Sequence, residues 1–311
     1  MYVGVQPNLV ERVVFEAARR DATLQPQYER QYADCYAHRD GAQRDQAFAA
    51  LHEKWFNELG FRDLLTSQVA SFLFVSRLVD RLMVTQAPGA RAQTVELFGT
   101  LGQYTVVMAV APATLLENAA FCYWARHELM HVDDMLNPDF AFDLAMKPGN
   151  GPMASRDLSR DRYATLWAIA VDARLEKEKM LPDGVREKRC SELTRAFGYE
   201  DLDEAARVFE SFWNEVQSIA TTHAMLLQWS NEGLPGSDLS SQPGNRNANR
   251  AGLPCPLCGF PTFDWLEEPN TDSEWVRQVE MDFPQWNCEQ GLCTRCAEVY
   301  RACVVTPMAV T

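Results

Sequence analysis

The stretch of sequence that decides the fold is Phe121-Cys-Tyr-Trp-Ala-Arg-His-Glu-Leu-Met-His131, which contains the pattern H-E-x-x-H. The segment from Asn118 to Met130 has no glycine or proline and is rich in alanine, leucine, methionine and aromatic residues, so we expect a helix. Residues four apart lie on one face of a helix, and His127 and His131 can therefore bind the same metal ion. Glu128 follows the first histidine and is a candidate general base for a metal-bound water.

The alternative is that these two histidines are ordinary polar residues on a helix surface, because five-residue patterns also occur by chance. The histidine content favours the metal site. The chain has only five histidines, and two of them stand at ligand spacing beside a glutamate in an otherwise apolar helix. Buried imidazoles need polar partners, and a metal ion supplies one.

Composition limits the class of protein. The 311 residues are 47% apolar and include eight tryptophans, which suffices for one sizeable core and a smaller appended module. The net charge of −14 argues against nucleic acid or a negatively charged membrane surface as a partner. We find no secretory signal and no apolar run of membrane-spanning length. The nine cysteines are an odd number, and four lie in CxxC pairs, which is typical of metal ligation in a reducing compartment, so we expect a cytoplasmic protein.

The segments before the H-E-x-x-H helix predict a mainly helical α+β fold with a small sheet. Residues 8–72 have apolar positions at helical spacing. Three later segments are rich in β-branched residues and predict strands at Val79–Thr85, Thr94–Phe98 and Tyr104–Val110. We therefore expect a small mixed sheet packed on the metal-binding helix. The alternative is that these apolar runs are short buried helices.

Two histidines do not complete a catalytic zinc site, which usually has three protein ligands and one open position. The best place for a third ligand is the helix predicted over Asp161–Met180, where Asp172 and Glu176 lie four apart on one face. We favour Glu176 as the ligand and Asp172 as a hydrogen-bond partner of a histidine N–H, and the reverse assignment stays open. The alternative is that the two acids pair with Arg174, Lys177 or Lys179 on a solvent-exposed face.

Two further helices are predicted at Val185–Phe197 and Asp203–Trp229. His223 falls near the end of the second helix, where it can donate a hydrogen bond to a developing oxyanion or serve as a structural histidine. Tyr163, in the helix predicted over Asp161–Met180, is a candidate of the same kind.

The composition predicts three parts of the chain. We expect residues 1–229 to form a helical metal-binding domain and residues 253–311 to form a cysteine-bearing module. Residues 230–252, rich in asparagine, glycine, proline and serine, have little to bury and predict a flexible linker. A loop at residues 147–152 is expected to form one wall of the metal cleft.

The C-terminal module carries the strongest metal motif. Cys255 and Cys258 form one CxxC pair, and Cys293 and Cys296 form a second, which predicts a four-thiolate zinc ribbon. Cys288 is an alternative fourth ligand, and iron in a rubredoxin-like electron carrier is an alternative metal. A closed four-thiolate site has no open position, so we expect it to stabilise the module. The acidic, tryptophan-rich insert between the pairs is a candidate surface for a protein partner.

The pattern His127-Glu128-x-x-His131, with possible strands before it and an acid-bearing helix after it, resembles the zincin metallopeptidases. The order is most similar to the gluzincin branch, in which an acid on a later helix is the third ligand. The resemblance covers about a third of the chain and implies a catalytic zinc ion bound by both histidines and an acid near Glu176, with Glu128 as general base. The family's later motif is Glu-x-x-x-Asp, whereas this chain has Asp172-x-x-x-Glu176.

The sequence therefore predicts a soluble zinc-dependent hydrolase with one catalytic and one structural Zn²⁺, acting on a protein or peptide substrate. The alternative function is a non-catalytic metal-binding or assembly protein that recognises a partner through the ribbon. A di-iron carboxylate protein requires a second Glu-x-x-His element, and the residues three before His38, His52 and His223 are not glutamate. That class is excluded.

Overall fold

The computed structural model describes five stretches of the chain, residues 1–148, 153–234, 252–266, 273–284 and 286–305. The chain divides into two compact units. The first unit comprises Met1–Phe142 and Arg174–Asp183, and the second comprises Asp143–Ala173 and Gly184–Thr311. The described residues are mainly helical and include three small sheets, so the prediction of a mainly helical α+β protein is confirmed. Within those stretches, every helix is too short or too polar to cross a membrane.

The first unit opens with a strand, β1, and a group of five helices. Their bounds are β1 Tyr2–Val5, α1 Pro7–Arg20, α2 Gln25–Cys35, α3 Gly41–Glu58, α4 Phe61–Ala70 and α5 Leu73–Leu78. The side chain of Asp40 caps α3 by accepting a hydrogen bond from the backbone N–H of Gln43. Gly60 separates α3 from α4 with a φ of +78°, a conformation that favours glycine.

A four-stranded mixed sheet forms the rest of the core of this unit. Its later strands are β2 Val79–Gln86, β3 Thr94–Phe98 and β4 Tyr104–Val110. The order is β1-β2-β4-β3, in which β3 is antiparallel to β4 and the other pairings are parallel. The three strands predicted from β-branched residues are confirmed. Sequence reasoning missed β1, because a four-residue strand with a glycine has too few positions to show alternation.

The H-E-x-x-H segment lies in a long helix beside the edge of this sheet. A short helix, α6 (Pro112–Leu116), leads into α7 (Asn118–Leu136), and α7 packs next to β3 and α5. Phe121, Ala125 and Leu129 are fully buried and hold one face of α7 against the core. The predicted mixed sheet packed on this helix is therefore present.

The second unit contains the next helices. Their bounds are α8 Met153–Lys177, α9 Val185–Phe197, α10 Leu202–Ser218 and α11 His223–Glu232. The last residues of α8, from Arg174 onward, belong to the first unit. The prediction of a single helix over Asp203–Trp229 is wrong. The chain is extended at Ile219, and the Thr222 side chain then caps a new helix by accepting from the Met225 N–H at 3.3 Å. His223 is consequently the first residue of α11.

The boundary of the predicted linker also shifts. Helix α11 continues to Glu232, and Ser230 is fully buried, so the first residues of the predicted linker belong to a helix. Residues 235–251 of that linker, and residues 149–152 of the predicted cleft loop, lie outside the described residues.

The C-terminal module is built from very short elements around a small core. They are β5 Leu253–Pro254, β6 Pro261–Thr262, β7 Trp265–Leu266, α12 Glu274–Asp282, β8 Leu292–Cys293 and α13 Thr294–Val305. Strand β5 pairs with β6, and β7 pairs with β8, both antiparallel. The buried core includes Val276, Val279, Trp286 and Leu292 together with two of the motif cysteines. A core of this size is small, and modules this small usually depend on an additional constraint such as disulfides or a metal ion.

Candidate metal centres

Helix α7 places the two histidines of the motif at the spacing of two ligands on one ion. The Nε2 atoms of His127 and His131 are 3.3 Å apart. Two nitrogen ligands about 2.05 Å from a tetrahedral zinc ion lie about 3.3 Å from each other. His127 is buried and His131 is half-buried, and their rings meet edge to face. The distance therefore suits two nitrogen ligands of one ion, and it equally suits a hydrogen bond between the two imidazoles.

Asp133 and Asp134, just after the motif, connect α7 to other elements of the first unit. Asp133 accepts hydrogen bonds from the backbone N–H groups of Phe74 and Val75 at 2.7 and 2.9 Å, and so caps the start of α5. Burial raises the pKa of Asp133 above its ordinary value, although these two N–H groups act in the opposite direction. The Asp134 carboxylate accepts two hydrogen bonds from the Arg174 guanidinium, at 2.7 and 2.6 Å. Sequence reasoning missed both roles, because neither partner is near in the chain.

The third ligand of the histidine pair stays a prediction. Glu176 belongs to the same unit as the pair and is half-buried. In the part of the chain that the structure describes, the four cysteines of the C-terminal module are the one group of three or more ligand side chains gathered closely enough to hold a metal ion. Among the described residues, His127 and His131 are not part of such a group.

Asp172, the other candidate acid, is committed to a different partner. It is fully buried in the second unit, and its Oδ2 atom accepts a hydrogen bond from Arg189 Nε at 2.5 Å. Arg189 also donates to Glu192 at 2.5 Å. Burial lowers the pKa of Arg189, but the contacts with Asp172 and Glu192 outweigh it and raise the pKa above its ordinary value. The exposed pairing considered for Asp172 is wrong, since its partner is a buried arginine on α9.

The structure brings together two residues that the sequence marked separately, Tyr163 and His223. The Tyr163 hydroxyl lies 2.7 Å from His223 Nδ1, and both side chains are buried in the second unit. The tautomer of His223 decides which partner donates, and Nε2 carries the proton in the tautomer whose Nδ1 accepts from the phenol. Such an Nε2–H is a hydrogen-bond donor, which is the property that an oxyanion-stabilising histidine requires. The catalytic role of His223 itself stays a prediction.

The four motif cysteines of the C-terminal module converge on one point, as predicted, and lie close enough together to hold a metal ion. The Sγ atoms of Cys255 and Cys296 are 3.9 Å apart, and so are those of Cys258 and Cys293. Thiolates about 2.3 Å from a tetrahedral metal ion lie about 3.8 Å from each other. Their mutual distances within 4.8 Å therefore suit one zinc or iron ion.

Backbone N–H groups complete this thiolate site. The N–H of Cys293 donates to Cys255 Sγ at 3.4 Å, and the N–H of Cys296 donates to Cys293 Sγ at 3.3 Å. Burial raises the pKa of Cys255, but such N–H groups outweigh it and the pKa is lowered overall. Burial and the neighbouring thiols raise the pKa of Cys296. Cys288 is not in the group, and its thiol instead lies 4.0 Å from a Glu280 carboxylate oxygen.

Comparison with known proteins leaves the chain without an assigned family. No protein-family model, no curated protein and no solved structure matches it. The resemblance to zincin metallopeptidases consequently rests on the motif residues His127, Glu128 and His131 and on the elements around them.

Proposed function

We propose that this protein is a zinc-dependent hydrolase, and specifically a metallopeptidase, with its catalytic ion at His127 and His131. The observation that carries the proposal is the 3.3 Å separation of the two Nε2 atoms, which equals the spacing of two nitrogen ligands on tetrahedral zinc. Glu128 follows the first ligand in the helix, where a general base is required. We propose Glu176 as the third ligand, because it lies in the same unit and carries a carboxylate.

The proposed chemistry is cleavage of an amide bond by water. A zinc ion held by His127 and His131 would supply a water of lowered pKa and would polarise the carbonyl group. Glu128 accepts the proton of that water and then donates it to the leaving amine. The Tyr163 hydroxyl lies 2.7 Å from His223 Nδ1 within the second unit, and a catalytic role for His223 stays a prediction.

The edge of the sheet next to α7 suits a peptide substrate. Within the described stretches, strand β3 pairs with β4 on one side only, and it lies beside the helix that carries the histidines. An extended peptide can add to the open edge of such a strand through backbone hydrogen bonds, and this mode is largely independent of side-chain identity. We therefore propose an extended peptide segment as the substrate.

A second candidate function is a non-catalytic assembly protein. The observation that favours it is that, among the residues the structure describes, only the four cysteines form a group of three or more closely spaced ligands. In this proposal the cysteine module binds zinc and recognises a protein partner through the insert between its CxxC pairs. Residues 267–272 of that insert lie outside the described residues.

Elemental analysis of the purified protein separates these functions. We expect two zinc ions in the parent and one in His127→Ala, while the matched control His38→Ala, at an exposed histidine, retains two. Glu128→Gln is expected to keep both ions and to lose cleavage of a peptide library. One zinc ion in the parent would overturn the metallopeptidase proposal and favour the assembly protein, and iron in place of zinc would favour an electron carrier.

A further inference from the structure

A groove in the first unit, distinct from the histidine pair, combines aromatic walls with carboxylates. It has a volume of about 630 Å³ and is lined by residues of β1, α1, α2 and α3. The ring centroids of Tyr32 and Phe48, which both line it, are 4.8 Å apart. Three acids, Glu11, Asp45 and Glu53, line it as well, and no lysine or arginine does so among the described residues.

The carboxylates are unequally available to a ligand. Glu53 already forms an ion pair with Arg62. Glu11 and Asp45 are exposed, and neither has an ion pair with any residue that the structure describes. The groove therefore presents two uncompensated negative charges next to aromatic rings. Aromatic faces and carboxylates both attract organic cations, and the two attractions add when they face the same space.

A buried histidine in the wall of the groove is the second, independent indication of a ligand. His52 is only 6% exposed, and its Nε2 atom lies 3.0 Å from the Tyr28 hydroxyl. The Nδ1 atom has no hydrogen-bond partner among the described residues, although His52 lines the groove. Burial lowers the pKa of His52, so the neutral imidazole is favoured and adds no positive charge to the groove. A polar ligand atom in the groove can satisfy Nδ1.

We propose that this groove binds an organic cation through an alkylammonium or guanidinium group. Glu11 and Asp45 supply the counter-charge, and the rings of Tyr32 and Phe48 supply cation–π contact. Two sources carry this chemistry, namely a free polyamine and a lysine or arginine side chain of a peptide. The site requires no metal ion and is independent of the proposed hydrolase activity.

Calorimetric titration of the full-length protein tests the proposal. The probes are spermidine, N-acetyl-arginine amide and, as the uncharged reference, N-acetyl-glutamine amide. We expect at least one of the two cationic probes to bind and the uncharged probe not to bind. The cation that binds more tightly tells whether the natural ligand is a polyamine or a basic side chain of a peptide. Glu11→Gln and Asp45→Asn should each weaken binding by about two- to fivefold, and the double variant should abolish it.

Two controls keep the result specific. Asp34→Asn removes an exposed acid that does not line the groove, so it should leave the affinity unchanged. Phe48→Leu keeps the charge of the groove and should weaken binding by about two- to fivefold through loss of cation–π contact. Binding that survives the Glu11→Gln/Asp45→Asn double variant, or that Asp34→Asn weakens equally, would overturn the proposal. So would the absence of binding of both cations at millimolar concentration.

Discussion

The ion pair between Asp134 and Arg174 yields a quantitative test of how α7 is anchored. Both guanidinium prongs reach the carboxylate, at 2.7 and 2.6 Å, and the Asp134 side chain is 5% exposed whereas that of Arg174 is 34% exposed. A hydrogen bond to a charged group contributes about 1.5–3 kcal/mol when buried, and an exposed ion pair contributes about 0–1 kcal/mol. Because one partner is buried and the other is partly hydrated, we expect Arg174→Met to lower the free energy of unfolding by about 2 kcal/mol.

Urea unfolding of the protein, followed by circular dichroism, measures this change. Arg174→Lys keeps the charge but loses the planar fork, so it should recover less than half of the lost stability. Arg20→Met is the matched control, because Arg20 pairs with Glu117 at 2.9 Å while both side chains are at least half exposed, at 50% and 67%. We expect that variant to lose less than about 1 kcal/mol. Equal losses in Arg174→Met and Arg20→Met would refute the reasoning.

Three further predictions concern other parts of the molecule. Asp172→Asn should lower the free energy of unfolding by about 3 kcal/mol in a denaturation experiment, because it breaks a buried ion pair; a loss below that of Arg20→Met would contradict this. Burial holds the pKa of His52 below 6.5, so the unfolded chain takes up the proton first as the pH falls. The free energy of unfolding should therefore decline as the pH falls from 6.5 toward the pKa of His52 in the folded protein. His52→Gln should flatten that decline, whereas His38→Gln should not. Cys258→Ser should release the ion of the C-terminal module, detected by a chromogenic chelator, and a full complement of bound metal in this variant would count against the four-thiolate site.

Features that depend on local spacing could be predicted from the sequence. The period of the helix alone places His127 and His131 on one face, and the two CxxC turns account for the converging thiols. The strand β4 was predicted because its seven residues are mainly β-branched or apolar, and Val106, Met108 and Val110 alternate into the core.

Features that depend on long-range contacts could not be predicted. The pairing of Asp172 with Arg189 and of Tyr163 with His223 joins residues on different helices, and periodicity carries no information about such partners. The break before α11 was missed for a different reason. The segment contains no glycine or proline, and the Thr222 side chain supplies the new helix start that those residues would have marked.

The cap that Asp133 places on α5 has a consequence for the order in which the chain assembles. Helix α5 has only six residues, which is too short to persist alone in water. Its first N–H groups are satisfied by a carboxylate 59 residues later in the chain. Helix α5 therefore becomes stable only after α7 has formed and docked, which makes it a late element of folding. During synthesis, the segment leading into β2 must wait for α7 to emerge before it reaches its final form.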